Sequence, residues 1–242
     1  MSILVTRPAA SGHILCQKLT ALGYDVMHEP MLAIKPVVSV PPDFTSFAAL
    51  LITSANALAM LPDVARREAQ QLPCLCVGDA TAAAARAAGF TEVHSAKGAG
   101  ADLAQLVQRH FPQSHAHFLH ICGAETDSTV QTLLHAAHYQ VTSWVVYQAI
   151  PQTAFSPTLS EALAQNFIKV VLLFSPRSAH IFVTLAHQAK LDLRTLWAIS
   201  LSPAVAAALD SWPGQSAIAD MPTEDALIAC LQRHYPALSA HD

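Results

Sequence analysis

Small hydroxyl residues and glycines recur in this chain directly after short apolar runs, and their type and spacing suggest chemistry. Thr53-Ser54-Ala55-Asn56-Ala57 follows Leu50-Leu51-Ile52, and Ser175-Pro176-Arg177-Ser178-Ala179 follows Leu172-Leu173-Phe174. Gly78-Asp79-Ala80-Thr81-Ala82 follows Cys76-Val77, and Ser200-Leu201-Ser202-Pro203-Ala204 follows Ala198-Ile199. Thr6-Arg7-Pro8 and Cys122-Gly123-Ala124-Glu125-Thr126-Asp127 complete the set. Segments of this kind open helices, where free backbone N–H groups and the positive dipole end gather. With hydroxyls that also donate, they suit a ligand carrying several carboxylates or phosphates. Any one of them is an ordinary helix cap by default. The functional reading rests on their recurrence in loops expected to face a shared cleft. Glu125, Asp79 and Asp127 are candidate acids or bases, again with capping as the default. Tyr147 is the one phenol in the extended segment Ser143–Pro151, and it is expected to look into that cleft.

Other chemistries find little support. Neither a Walker sequence nor G-x-G-x-x-G occurs, and Gly98-Ala99-Gly100 reads as a loop before a helix. Among the 13 histidines, His115 and His117 would share one face of a strand and His120 the other, so no metal set forms. His135 and His138 read as a surface pair on a helix. Cys74-Leu75-Cys76 has a single spacer and no second pair, which disfavours zinc. The five scattered cysteines read as reduced, mostly buried thiols. No Ser-His-Asp or Cys-His set assembles.

The elements that must position these loops follow from the rest of the chain. Its 242 residues suit two domains of about 120. Apolar residues make up 52% and charged ones 12%, which provides for ample cores. A net charge of −4 argues against nucleic acid as a partner. Apolar runs such as Val170–Phe174 are far shorter than the roughly 20 residues that span a bilayer, and residues 1–7 do not read as a signal peptide. A cytoplasmic protein with no membrane partner is expected, and a monomer.

An internal repeat organises everything else. Residues 3–36 align with 118–151 at an offset of 115, which places Gly23 on His138 and Pro36 on Pro151. Residues 50–56 fall on 171–177 at an offset of 121, and 76–82 on 198–204 at 122. Gln108–Pro112 falls on Gln232–Pro236 at 124. Strands are expected near 3–6, 25–29, 48–52, 74–77, 91–94, 117–121, 141–147, 170–174, 196–200 and 216–219. Helices are expected near 11–22, 55–70, 80–88, 101–110, 127–138, 158–165, 178–189, 203–211 and 223–234. Alternation of this kind means parallel sheets covered by helices. The predicted fold is α/β, with two flavodoxin-like lobes, each a five-stranded parallel sheet flanked by helices, joined by a two-stranded linker. Lobe A is expected over 1–31 plus 153–242, lobe B over 41–143, and the linker strands over 32–40 and 144–152.

The order of these motifs resembles the uroporphyrinogen-III synthase family over essentially the whole chain. Leu4–Pro8, Leu51–Ala57, Val77–Ala82, Val145–Gln148, Phe174–Ala179 and Pro222-Thr223 carry the resemblance. It implies an enzyme of tetrapyrrole biosynthesis, a lyase that closes hydroxymethylbilane to uroporphyrinogen III. Water is lost and the last ring is inverted, with no metal or cofactor. By the same resemblance Tyr147 assists departure of the hydroxyl. Arg7, Thr53, Ser54, Asn56, Gly78, Thr81, Gly123, Ser175, Arg177, Ser178 and Ser202 are then the substrate-binding candidates. Two positions depart from the family pattern: its second glycine-threonine loop is Ser200–Pro203 here, and an arginine often found four residues after Gly123 is Asp127. The alternatives are a non-catalytic two-lobe anion-binding protein and a degenerate relative of the synthase.

Overall fold

The structure, a computed structural model, describes residues 2–112, 115–210 and 212–237. The chain divides into two compact units, Met1–Ala33 with Ile150–Asp242, and Ile34–Ala149. The first contains β1 (Ser2–Val5), β2 (Asp25–His28), β9 (Ile168–Leu173), β10 (Trp197–Ser200) and β11 (Ser216–Ile218). These form one sheet in the order β11-β10-β9-β1-β2, and every pair in it is parallel. The second sheet contains β3 (Leu32–Pro36), β4 (Ala49–Ile52), β5 (Cys74–Cys76), β6 (Val93–Ser95), β7 (His117–Gly123) and β8 (Gln140–Pro151), in the order β3-β8-β7-β4-β5-β6.

In terms of the repeat, and leaving aside the edge strand β3, each sheet takes two strands from one copy and three from the other. The first copy supplies β1 and β2 to one unit and β4, β5 and β6 to the other. Both sheets then show the same strand order, 2-1-3-4-5 in flavodoxin terms. Strand composition follows position. Central β4 (ALLI) is buried throughout and β9 (IKVVLL) nearly so, whereas edge strands β2, β6 and β11 are only part-buried. A parallel strand covered on both faces has no polar face to show. Alternation sends Ile3, Val5, Val170 and Leu172 to one core, and Leu4, Val171 and Leu173 to another. The second unit divides likewise: Leu50, Ile52, Leu119 and Ile121 pack on one side, Ala49, Leu51 and Phe118 on the other.

The ten expected strands are all present, and three local expectations are corrected. The sheet of the second unit has six strands, because β3 adds to the exposed edge of the long β8. Val37 N donates to Val146 O (2.9 Å) and Gln152 N to Met31 O (3.0 Å), so β3 runs antiparallel to β8. Pro36, which lacks a ladder donor, ends this edge strand. The helix expected over 55–70 is two, α2 (Ala55–Ala59) and α3 (Asp63–Ala69), since Pro62 cannot continue the hydrogen-bond series and instead caps the second. The helix expected over 203–211 stops at Ala207, short of Asp210, whose φ is 26°. The repeat extends to backbone detail: Gly23 (φ 87°) and its counterpart His138 (φ 64°) both adopt the left-handed conformation after a helix.

Candidate active site

In the unit Ile34–Ala149 the strand ends border a half-open cavity of about 300 Å³, lined by Thr53, Ser54, Gly100, Glu125, Asp127 and Tyr147 among others. Tyr147 reaches it through an irregularity in the β7–β8 ladder. Cys122 lies opposite Val145, but Gly123 lies opposite Tyr147, so β8 carries one extra residue, a bulge. Bulges re-aim the side chains that follow them. The strand end is then fastened by Ala124 N donating to Tyr147 O (2.8 Å). The tyrosine ring lies directly on the Gly123 α-carbon. A Cβ added at Gly123 would stand 2.6 Å from Tyr147 Cζ and 3.0 Å from its hydroxyl. Glycine is required there by the phenol's position, not by backbone conformation.

Thr53 and Ser54 follow β4. Ser54 caps α2, its Oγ accepting from Asn56 N at 3.2 Å. Thr53 Oγ1 lies 3.1 Å from Nε2 of His120, a histidine with no exposed surface. Burial pushes the His120 pKa down to about 4, so the imidazole is neutral near pH 7. Asp127 behaves as a cap: its Oδ1 accepts from the hydroxyl of Thr129 (2.6 Å) and from Thr129 N (2.8 Å). Those two bonds hold its carboxyl below the usual range. Among the other candidates in this unit, Gly78 precedes α4 (Asp79–Ala87), with open space where a Cβ would stand. Thr81 is buried in the first turn of α4 and Asn56 is half-buried in α2. These three do not line the cavity.

The remaining candidates belong to the other unit. Arg7 follows β1, its guanidinium 4.7 Å from the centre of the Phe174 ring and bonded to Glu224 at 2.6 Å. Ser175 caps α8 (Pro176–Gln188): its Oγ accepts from Ser178 N (3.1 Å) and donates to Ser178 Oγ (2.9 Å). Arg177 stands in the same first turn. Ser202 precedes α9 (Pro203–Ala207) without a side-chain capping bond. Of the candidates for catalysis and substrate binding, Tyr147, Thr53 and Ser54 line the cavity, and Thr126, which was not among them, lines it too. Sequence reasoning passed over Gly100, which opens α5 (Gly100–His110), and the His120–Thr53 contact. The signal for that contact was available only through strand register, since alternation assigns His120 a strand face but not a neighbouring strand. Among the described residues no group of three or more His, Cys, Asp or Glu is arranged to hold a metal ion. None of their helices is long and apolar enough to cross a membrane.

Two doubly wound α/β units, each assembled from both copies of a duplicated chain and one bearing a hydroxyl-lined cavity at its strand ends, define the class of protein. The chain belongs to the uroporphyrinogen-III synthase family, whose model, described as uroporphyrinogen-III synthase HemD, matches residues 15–229. It is similar to the crystal structure of uroporphyrinogen-III synthetase from Helicobacter pylori, with a TM-score of 0.68 and 18% identity. That match covers 96% of this chain and 99% of the other. A mutant uroporphyrinogen III synthase from the extremely thermophilic bacterium Thermus thermophilus matches with a TM-score of 0.58 and 15% identity, covering 100% of both chains. No curated protein sequence matches. At such identities the structural likeness speaks to the fold. Family membership makes the chain a lyase of haem biosynthesis and does not favour the anion-binding alternative.

Proposed function

We propose that this chain closes hydroxymethylbilane to uroporphyrinogen III, with Tyr147 assisting departure of the substrate's hydroxyl as a hydrogen-bond donor or general acid. The observation that carries the reading is the setting of Tyr147, re-aimed by a bulge, seated on Gly123 and bordering a cavity with the hydroxyl residues Thr53 and Ser54. Loss of the hydroxyl as water needs a proton delivered to the leaving oxygen, and a positioned phenol can supply it. The azafulvene-type cation left behind is attacked by the far ring at its already substituted carbon. The spiro intermediate breaks and re-closes with that ring turned over, and the proton lost when the pyrrole regains aromaticity balances the one donated. Unassisted closure gives the uninverted isomer, so the protein's main task is to hold the chain in one geometry.

Hydrogen-bond donors suit that task better than rigid ion pairs. In the proposal the substrate's carboxylates are shared among Thr53, Ser54, Asn56, Gly78, Thr81 and Gly123 of one unit and Arg7, Ser175, Arg177, Ser178 and Ser202 of the other. Residues 32–40 and 144–152 act as the linker between lobes 1–31 plus 153–242 and 41–143. We propose further that the protein is a cytoplasmic monomer, for which a sedimentation mass of 25.8 kDa is the expected result. The activity test is incubation with enzymatically generated hydroxymethylbilane, followed by oxidation and separation of the uroporphyrin isomers. Type III product above the spontaneous background is expected; type I alone overturns the proposal.

A further inference from the structure

Strands β4 and β7 share a polar contact that packing does not call for. In their ladder Ala49 lies opposite Phe118, Leu51 opposite His120 and Ile52 opposite Ile121. By alternation Thr53 continues the face of Ala49 and Leu51, and His120 continues the face of Phe118. Those three apolar residues belong to a single core. The repeat aligns His120 with Val5 and Thr53 with Phe174, and in the other unit these two are apolar members of one cluster. The fold is thus satisfied by hydrocarbon at both positions.

In the second unit His120 has no exposed surface, and its Nε2 lies 3.1 Å from Thr53 Oγ1. Its Nδ1 is buried with no hydrogen-bond partner among the described residues. A neutral imidazole carries one N–H and one bare nitrogen. With the proton on Nδ1, a buried N–H would be stranded and Thr53 would spend its only proton on Nε2. With the proton on Nε2, the stranded atom is a bare lone pair, and Thr53 Oγ1 accepts. Interiors tolerate an under-used acceptor more readily than an orphaned N–H. The second arrangement leaves the threonine O–H unspent, and Thr53 borders the cavity.

We propose that His120 is a positioning residue that fixes the Thr53 hydroxyl as a donor toward the cavity, where it meets a carboxylate oxygen of the substrate. The proposal rests on the reading of the cavity as part of the substrate site, and it deepens that reading by assigning the direction of one hydrogen bond.

Two measurements decide it. In protein labelled with 15N-histidine, long-range 15N–1H correlation reads the tautomer, with His120 assigned by its loss in His120→Gln. A proton on Nε2 is expected, and a proton on Nδ1 overturns the proposal. In kinetics, Thr53→Val is expected to lower kcat/KM about tenfold, the size of one hydrogen bond to a charged group. His120→Leu should do the same. His120→Gln, whose amide N–H reaches the place of Nε2, should stay within about threefold of the parent. The double variant His120→Leu/Thr53→Val should be no worse than Thr53→Val alone. Multiplying losses, or a His120→Leu enzyme as active as the parent, overturn the proposal. A parent enzyme that yields only the type I isomer defeats the functional reading by itself, and the imidazole spectrum still decides the tautomer.

Discussion

In the unit Ile34–Ala149, Thr53 leans on a buried histidine and borders a cavity. In the other unit the matching residue, Phe174, packs on the core that holds Val5 and lies 4.7 Å beneath the Arg7 guanidinium. Nearby polar groups of that same unit are also engaged within it. Thr6 Oγ1 donates to Leu172 O (2.7 Å), the Ser175 and Ser178 hydroxyls bond each other, and Glu224 takes both Arg7 and Lys18 at 2.6 Å. In that unit Thr6, Ser175 and the Arg7–Glu224 pair thus spend their hydrogen bonds internally, whereas the unit Ile34–Ala149 keeps several donors at a cavity. Because the fold is duplicated, each unit is a control for the other. A polar group that has a hydrocarbon counterpart is not required by the architecture, and its cost calls for another reason.

The largest test of this contrast is Tyr147→Phe. With the phenol acting as proton donor, kcat should fall about a thousandfold while the melting temperature barely moves. Unchanged turnover would reduce Tyr147 to packing. Next is acid sensitivity. His120 titrates near 4 in the fold against 6.5 when unfolded, so between those values the unfolded chain binds the extra proton. Stability present above pH 6.5 is therefore lost as pH falls toward 4, by up to about 3 kcal/mol. Denaturant titrations of His120→Leu should lack that portion of the slope; an unaltered slope would show that His120 is not its source. Gly123→Ala comes third. Its Cβ must displace the tyrosine ring, and a shift of about 1 Å is expected to cost roughly a hundredfold in kcat/KM with the fold retained.

A smaller effect is expected from carrying the polar position into the other unit. Val5→His would bury an imidazole beside Phe174 with no hydroxyl to meet it, at a cost of about 2 kcal/mol measured by urea unfolding. A neutral result would undo the argument that the two units differ in what they can bury. Smallest is His138→Gly. The left-handed backbone at φ 64° suits glycine, as at Gly23, so a gain of up to about 1 kcal/mol is expected, read as a rise of a few degrees in melting temperature.

Much of this was legible in the chain. Apolar runs such as Val170–Leu173 and the repeat between residues 3–36 and 118–151 imply parallel sheets and ten strands, and hydroxyls after Ile52 mark a strand end. What escaped depends on pairing. A repeat states which strands are equivalent, not which of them lie side by side, so the contact of His120 with Thr53 cannot be read from either segment alone. The bulge that re-aims Tyr147 is likewise a property of two strands counted against each other. Pro62 was visible, but an apolar pattern running across it hid the break between α2 and α3.

The exchange of strands between the copies also sets an order of assembly on the ribosome. Ile34–Ala149 is one uninterrupted stretch and can close as soon as β8 has left the exit tunnel. β1 and β2 can pair with each other as they emerge, but the other edge of β1 has no partner until Ile168–Leu173 is translated, more than a hundred residues later. For that interval the nascent chain carries an apolar strand, Ile3–Val5, with one edge open, which makes it a natural client for chaperones that shield emerging β-strands.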